Sequence, residues 1–353
     1  MKWKDILLDK CNIVVVGATG AVGQVALKLF EERMFPCGLI RLCASERSAG
    51  KRLQVQGKEL VVEATTPESF KDMDIAFISV SADVSRQLIP FAVEAGTVVI
   101  DDSSAFRMDP TVPLVVPEVN ADDLEAHQGI ISIPNCSTTP LVMALNPLHQ
   151  ENPIKRVVVD TYQSVSGTGV LAIEELNRQS QEVLDQKPSQ SRVYPHQIAF
   201  NVLPHVESFQ VNGYTAEEMK MLNETRKIMH APELNVSATC ARVPVYISHS
   251  EAVHVEFTES MEPDEVRIIL EKSPGVKVLD DPNENVYPMP WSISGTDDVY
   301  VGRIRRDISC PNGMVMWLVS DNLRKGAALN ALQIAEELLK RNLVPNRNKS
   351  FTN

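Results

Sequence analysis

Four consecutive β-favouring residues, Ile13-Val14-Val15-Val16, run directly into Gly17-Ala18-Thr19-Gly20-Ala21-Val22-Gly23, and a helical pattern follows with Val22, Val25, Ala26 and Leu29 on one face. A strand that passes through a glycine turn into a helix opens a βαβ unit, and therefore a parallel sheet. Leu39 to Ala44, Ile75 to Val80 and Val98 to Ile100 read as further buried strands, with an amphipathic helix from Val84 to Ala95 between the last two. Near-continuous Val/Ile strands separated by helices predict an α/β domain: a Rossmann-like, doubly wound parallel sheet covered on both faces.

The pattern changes after Pro134. A strand at Val157 to Ser164 and helices at Ile173 to Leu184 and Ala216 to Met229 precede longer strands at Ser237 to Val245, Val253 to Phe257, Val299 to Arg305 and Met314 to Val319. Strands gathered late without regular crossover helices predict an α+β catalytic and dimerisation domain with a mostly antiparallel sheet. Asp321-Asn322 supplies a capping signal for a last helix, Leu323 to Leu339. The expected division is 1–134 and 135–322, with 323–353 packing back on the first domain. The tail after Asn342 reads as frayed.

With 353 residues and a net charge of -12, the chain can bury a full core but lacks the basic surface that nucleic acid or an anionic membrane requires. No apolar run approaches the roughly 20 residues of a membrane span, and Met1 to Lys10 lacks the long apolar region of a signal peptide. Six cysteines without a CxxC pair fit reduced thiols in a cytoplasm better than disulfides or a zinc site, and no metal is expected.

The glycine turn lets a backbone approach a pyrophosphate resting on helix N–H groups, although its G-x-x-G-x-x-G spacing departs from G-x-G-x-x-G. After the second strand come Glu46, which suits a ribose hydroxyl, and Arg47 with Ser48, which suit a 2′-phosphate. The signal is mixed and leans to NADP. Cys136, in Pro134-Asn135-Cys136-Ser137-Thr138-Thr139, opens a helical segment, where the dipole and unused N–H groups favour a thiolate and can hold an oxyanion. The other five cysteines read as small buried hydrophobes. Among seven histidines, His249 stands at an expected turn between two strands, where it can project into a cleft, and His254 reads as structural or solvent-facing.

With Cys136 and His249 considered together, the chain resembles the aspartate-semialdehyde dehydrogenase family over nearly its whole length. The resemblance is carried by Gly17–Gly23, Ser103–Met108, Val116–Asn120, Pro134–Thr139, Thr161–Gly167, Glu217–Met221, Ala241–Val245 with Ser248–Glu251, and Asp321–Gly326. It implies Cys136 as the acyl-thioester nucleophile, His249 as proton acceptor or donor, and Gln163 as the residue orienting substrate near the thiol. It implies Arg242 for the substrate α-carboxylate, Glu217 for its α-amino group, and Arg107, Asn135 and Lys220 for phosphate. Thr19, Gly20, Ala21, Val22, Arg47, Ser48, Ser166, Gly167 and Asn322 match NADP contacts.

The implied reaction is NADPH-dependent reduction of aspartyl phosphate to aspartate semialdehyde with release of inorganic phosphate, by a homodimer or homotetramer. Singly, Arg107 and Lys220 are ordinary surface cations, and Glu217-Glu218 is ordinary first-turn helix chemistry. N-acetyl-glutamyl-phosphate reductase, with the same chemistry on a longer acyl phosphate, is the nearest rival. A non-catalytic paralogue acting as a binding protein is the rival of another class.

Overall fold

The computed structural model describes residues 10–345. The reading of the first nine residues, and of the tail beyond residue 345, falls outside the described residues. The chain divides into two compact units, one formed by the segment up to Pro134 with the segment from Ala327 onward, the other by Asn135–Gly326.

The first unit runs β1 (Cys11–Val16), α1 (Ala21–Glu32), β2 (Cys37–Ala44), β3 (Arg52–Val55), β4 (Lys58–Ala64), β5 (Ile75–Ile78), α2 (Ala82–Glu94), β6 (Val98–Asp101), α3 (Pro117–Asn120) and β7 (Ile130–Ser132). Its sheet has the order β3-β4-β2-β1-β5-β6-β7 and is parallel except for the β3–β4 pair. The continuous apolar run of β1 follows from its central position. Ile13 and Val15 pack with Leu29 and Phe30 of α1, while Val14 and Val16 pack with Ile89 and Ala92 of α2. Both faces are covered, and each such fully buried side chain contributes about 1.5–3 kcal/mol.

The strand read as buried from Leu39 to Ala44 is so only in its second half. Leu39 is 51% exposed, because the strand reaches beyond the helices at its start. The β3–β4 hairpin was not foreseen: its strands are mostly exposed and lack the Val/Ile runs of the central ones.

The second unit contains α4 (Thr138–Glu151), β8 (Ile154–Gln163), α5 (Val170–Leu184), α6 (Ala216–Ile228), β9 (Asn235–Arg242), β10 (His249–Phe257), α7 (Pro263–Lys272), β11 (Val276–Val278), α8 (Pro290–Ile293), β12 (Val299–Arg306) and β13 (Gly313–Ser320). Its sheet has the order β11-β12-β13-β10-β8-β9, with three antiparallel pairs at the centre and a parallel pair at each end. Alternate residues of β8, Val157, Val159, Thr161 and Gln163, are buried, whereas Tyr162 on the opposite face is 39% exposed and leans on Trp317. One sheet face is covered; the other is partly open along β8 and covered at Val315 and Val319 of β13.

Asp321 Oδ1 accepts the amides of Leu323 and Arg324, so the expected cap is present. The first turn is then widened into a π-type segment, Arg324–Ala328, before α9 (Leu329–Lys340) begins. α9 belongs to the first unit, where Ile334 and Leu338 join the core with α1 and Arg33 grips Glu336 through two 2.8 Å bonds. The tail is not frayed immediately after Asn342: Val344 is 4% exposed, and the Leu343 carbonyl meets His127 Nε2 at 2.9 Å. Among the described residues no helix is long and apolar enough to cross a membrane.

Candidate active site

In the first unit, Gly17 holds φ +88°, and a Cβ there would stand 2.2 Å from the Ser79 carbonyl oxygen. Its amide and that of Ala18 both donate to the Cys43 carbonyl, which bends the chain sharply off β1. Gly23 lies against the same loop, with a Cβ position 2.3 Å from the Gly17 oxygen. Thr19, Gly20, Ala21 and Val22 form the head of α1, which has no side-chain cap and no acid in its first turn. Its first amides therefore point outward with no competing anion, the arrangement a pyrophosphate requires. Arg47 and Ser48 occupy a short turn at the end of β2, the neighbour of β1; Arg47 is exposed, as is Glu46, and Ser48 is buried. Arg107, also in this unit, is buried and donates to the Asp102 carbonyl at 2.7 Å.

The second unit brings together the remaining residues singled out by the sequence. Cys136 stands in the turn before α4 and is only partly buried, although Asn135, Ser137, Thr138 and Thr139 around it are buried. Asn135 builds that turn. Its Oδ1 accepts the Ser137 amide at 2.9 Å, its Nδ2 donates to Glu217 at 2.9 Å, and its own amide donates to Glu224 at 2.7 Å. Gln163, the last residue of β8, donates to both Ser137 Oγ (3.0 Å) and Glu217 Oε1 (3.1 Å). Gly326 closes on the other side; a Cβ there would lie 2.9 Å from Cys136 Cβ.

His249 is the first residue of β10 rather than a turn residue, and it is 1% exposed. One step beyond the Ser250–Tyr162 pair, it sits opposite Gln163 on the covered face, where such neighbours have Cβ atoms roughly 5 Å apart. Ser248, just before it, holds φ +76°, a strained value for a side-chain-bearing residue, and its amide donates to Asn322 Oδ1. The Ser164 amide donates to His249 Nδ1 at 3.0 Å. An amide can only donate, so in the neutral ring the proton sits on Nε2. Burial, reinforced by Arg242, pushes His249 down to about 3. It is a neutral donor at working pH.

Ser166 and Asn322 lie 2% exposed and bond to each other and to Ser164, forming the knot that shapes the Ser248–His249 entry. Gly167 packs so closely that a Cβ would be 3.1 Å from Arg242 Nη1 and 3.3 Å from His249 Nε2. Arg242, the last residue of β9, is held by the Ser164 carbonyl at 2.8 Å. Glu217 and Lys220 share one face of α6, with Nζ 3.2 Å from Oε2, and Lys220 also meets Glu207. Burial alone would raise Glu217, but Lys220, the Gln163 and Asn135 amides and Arg242 outweigh it and hold the carboxyl below its usual range.

Sequence reasoning passed over Ser137, Ser164, Glu224 and Gly326 as individual actors. Ser137, Ser164 and Gly326 lay inside the motifs named above; Glu224 gave no signal, since the Asn135 amide it accepts lies 89 residues away. His254 is a half-exposed partner of Asp307, outside this cluster. Among the described residues no group of three or more His, Cys, Asp or Glu is placed to hold a metal, and none of the six cysteines is in a disulfide.

Residues 12–127 match the family described as semialdehyde dehydrogenase, NAD binding domain, and residues 145–325 match semialdehyde dehydrogenase, dimerisation domain. The aspartate-semialdehyde dehydrogenase of Bacillus subtilis is 49% identical over 341 residues, covering 94% of this chain and 99% of that one. The crystal structure of aspartate semialdehyde dehydrogenase II from Vibrio cholerae complexed with ASA superposes with a TM-score of 0.92 at 42% identity, over 94% of this chain and 99% of that one. The Candida albicans enzyme with NADP gives a TM-score of 0.75 at 28% identity, over 95% and 100%. Likeness of this extent, across both units, makes the chain a member of the aspartate-semialdehyde dehydrogenase family.

Proposed function

We propose that this chain reduces L-aspartyl 4-phosphate to L-aspartate 4-semialdehyde with NADPH, through a thioester on Cys136, in the biosynthesis of lysine, threonine, methionine and isoleucine. The observation that carries this reading is the Asn135–Cys136–Ser137 turn. It presents one accessible thiol among buried polar side chains, with Gln163 and His249 side by side on the strands beneath.

The amides and dipole at the head of α4 favour the thiolate. The sulfur attacks the acyl carbon, a C–S bond forms, and the C–O bond to phosphate breaks. Arg242 has a planar fork whose Nε has no hydrogen-bond partner among the described residues, suited to the α-carboxylate. Glu217, kept ionised by its neighbours, suits the α-ammonium group. Lys220 and Arg107 are assigned to the phosphate, and Asn135 holds the turn that carries the nucleophile. His249 gives its Nε2–H to the oxygen that becomes negative at the acyl carbon, a donor role fixed by the Ser164 amide on Nδ1.

The glycine turn of the first unit fits a dinucleotide phosphate, with Arg47 and Ser48 assigned to the 2′-phosphate and Ser166, Gly167 and Asn322 to further contacts. Bound NADPH supplies the hydride that turns thioester into aldehyde. A second copy covers the partly open sheet face bearing Tyr162 and Trp317, giving a homodimer or a homotetramer built from it. The six unbridged thiols suit the cytoplasm. The test is NADP reduction with aspartate semialdehyde: the rate should require inorganic phosphate, and preference for N-acetylglutamate semialdehyde in the same panel would overturn the substrate assignment.

A further inference from the structure

Glu251 takes no part in the chemistry above, yet it is 1% exposed, and neither carboxylate oxygen meets a hydrogen-bonding partner among the described residues. Its place is set by register. On β10 it follows His249 by two residues and therefore shares its face. It pairs with Thr161 of β8, which pairs with Cys240 of β9, so Cys240, Thr161 and Glu251 form one row. The row in front is Arg242, Gln163, His249 and Ser320. Glu251 thus lies directly behind the imidazole, about 6.5–7 Å along the strand.

Two further facts bear on that position. Ser320, paired with His249, is fully buried, and its hydroxyl is likewise unpartnered. The imidazole itself is fixed along one edge only: Nδ1 meets the Ser164 amide and hydroxyl, whereas Nε2 has no hydrogen-bond partner among the described residues. Burial holds the Glu251 carboxyl well above the usual carboxylate range and so favours the neutral form, which can both give and receive a hydrogen bond. Clustered buried polar atoms of this kind are bridged by interior water with two to four partners.

We propose that Glu251 is a positioning residue for His249: its carboxyl, bridged by interior water to the Ser320 hydroxyl in the row in front, backs the imidazole and fixes the orientation in which the ring meets the acyl group on Cys136. Nothing covalent happens at Glu251. The inference rests on the reaction proposed above, so its test includes a reading that needs no turnover.

The experiment compares Glu251→Gln, which keeps shape and hydrogen bonding, with Glu251→Leu, which keeps volume alone, in the full chain. Two quantities are read: kcat and KM with aspartate semialdehyde, phosphate and NADP, and the rate of Cys136 alkylation by iodoacetamide, followed by peptide mass. In Glu251→Leu, kcat should fall about 10- to 100-fold with KM for both substrates within about 3-fold, and Cys136 alkylation should change by about 10-fold. Glu251→Gln should stay within about 3-fold of the parent in both readings. The Leu chain should unfold no earlier than the parent, since it replaces an unsatisfied polar group by an apolar one.

A folded Glu251→Leu chain with parental kcat and parental alkylation overturns the proposal. So does a folded Glu251→Gln chain as impaired as the Leu chain, because a charge would then be required. If the Leu chain does not fold, Ser320→Ala takes its place with an expected loss of about 3- to 10-fold in kcat; parental behaviour there counts against the proposal equally. A parent chain that alkylates as expected but turns over no aspartate semialdehyde sinks the proposed function and leaves the alkylation comparison to decide on Glu251.

Discussion

Protonating His249 should destabilise the second unit in a defined pH window. In the folded chain the ring is buried at 1% exposure and titrates at about 3, against 6.5 when free. Between those values the unfolded chain carries a proton on this residue that the folded chain does not. The stabilising contribution is therefore complete above pH 6.5 and is lost as pH falls towards 3. The slope approaches about 1.4 kcal/mol per pH unit below 6.5, so lowering pH from 6.5 to 4.5 costs about 2.3 kcal/mol from this group alone. Many carboxylates also titrate below pH 5, which makes the informative quantity a difference between two chains. His249→Gln removes the titration and leaves the rest. Urea unfolding followed by tryptophan emission suits the purpose, because Trp291 and Trp317 both lie in the second unit. The parent should lose about 2–3 kcal/mol more than His249→Gln over that interval. Parallel losses in the two chains would refute the picture of a buried neutral imidazole, and with it the donor role at Nε2.

Three further outcomes are expected. Gly326→Ala places a Cβ 2.9 Å from Cys136 Cβ, so kcat should fall about 10- to 100-fold while NADP titration remains parental. Gly17→Ala meets the Ser79 carbonyl at 2.2 Å at a φ of +88°; NADP affinity should drop about 5- to 150-fold through strain of about 1–3 kcal/mol, with Cys136 alkylation unchanged. Arg242→Lys loses the fork but keeps the charge, and KM for the semialdehyde should rise about 10-fold or more, read from initial rates at saturating phosphate.

The first unit was largely legible because β1 is central. A strand buried on both faces must be apolar throughout, and the glycine turn after it has few other uses. Strands at and next to the edge carry less of that constraint, which is why β3, the edge strand, and its neighbour β4, both mostly exposed, escaped notice. In the second unit the strands were found but His249 was misplaced into a turn. The strand begins there because Ser248 takes a left-handed conformation and its amide is captured by Asn322, 74 residues on. Local periodicity cannot report a bond of that separation. The same holds for Gln163 reaching Ser137 and Asn135 reaching Glu217. The identities of the cluster came from the family resemblance; its wiring required coordinates. The tail at Leu343 and Val344 looked frayed for a related reason, since its anchor is a histidine more than two hundred residues earlier.

Acid quench of the chain mixed with aspartate semialdehyde and NADP, with phosphate withheld, followed by peptide mass analysis, interrogates the sulfur itself. An acyl group on the peptide carrying Cys136, heavier than the free peptide by the semialdehyde less two hydrogens and absent from Cys136→Ala, is the predicted result. An adduct on another residue, or full phosphate-dependent turnover by Cys136→Ala, would contradict the thioester route.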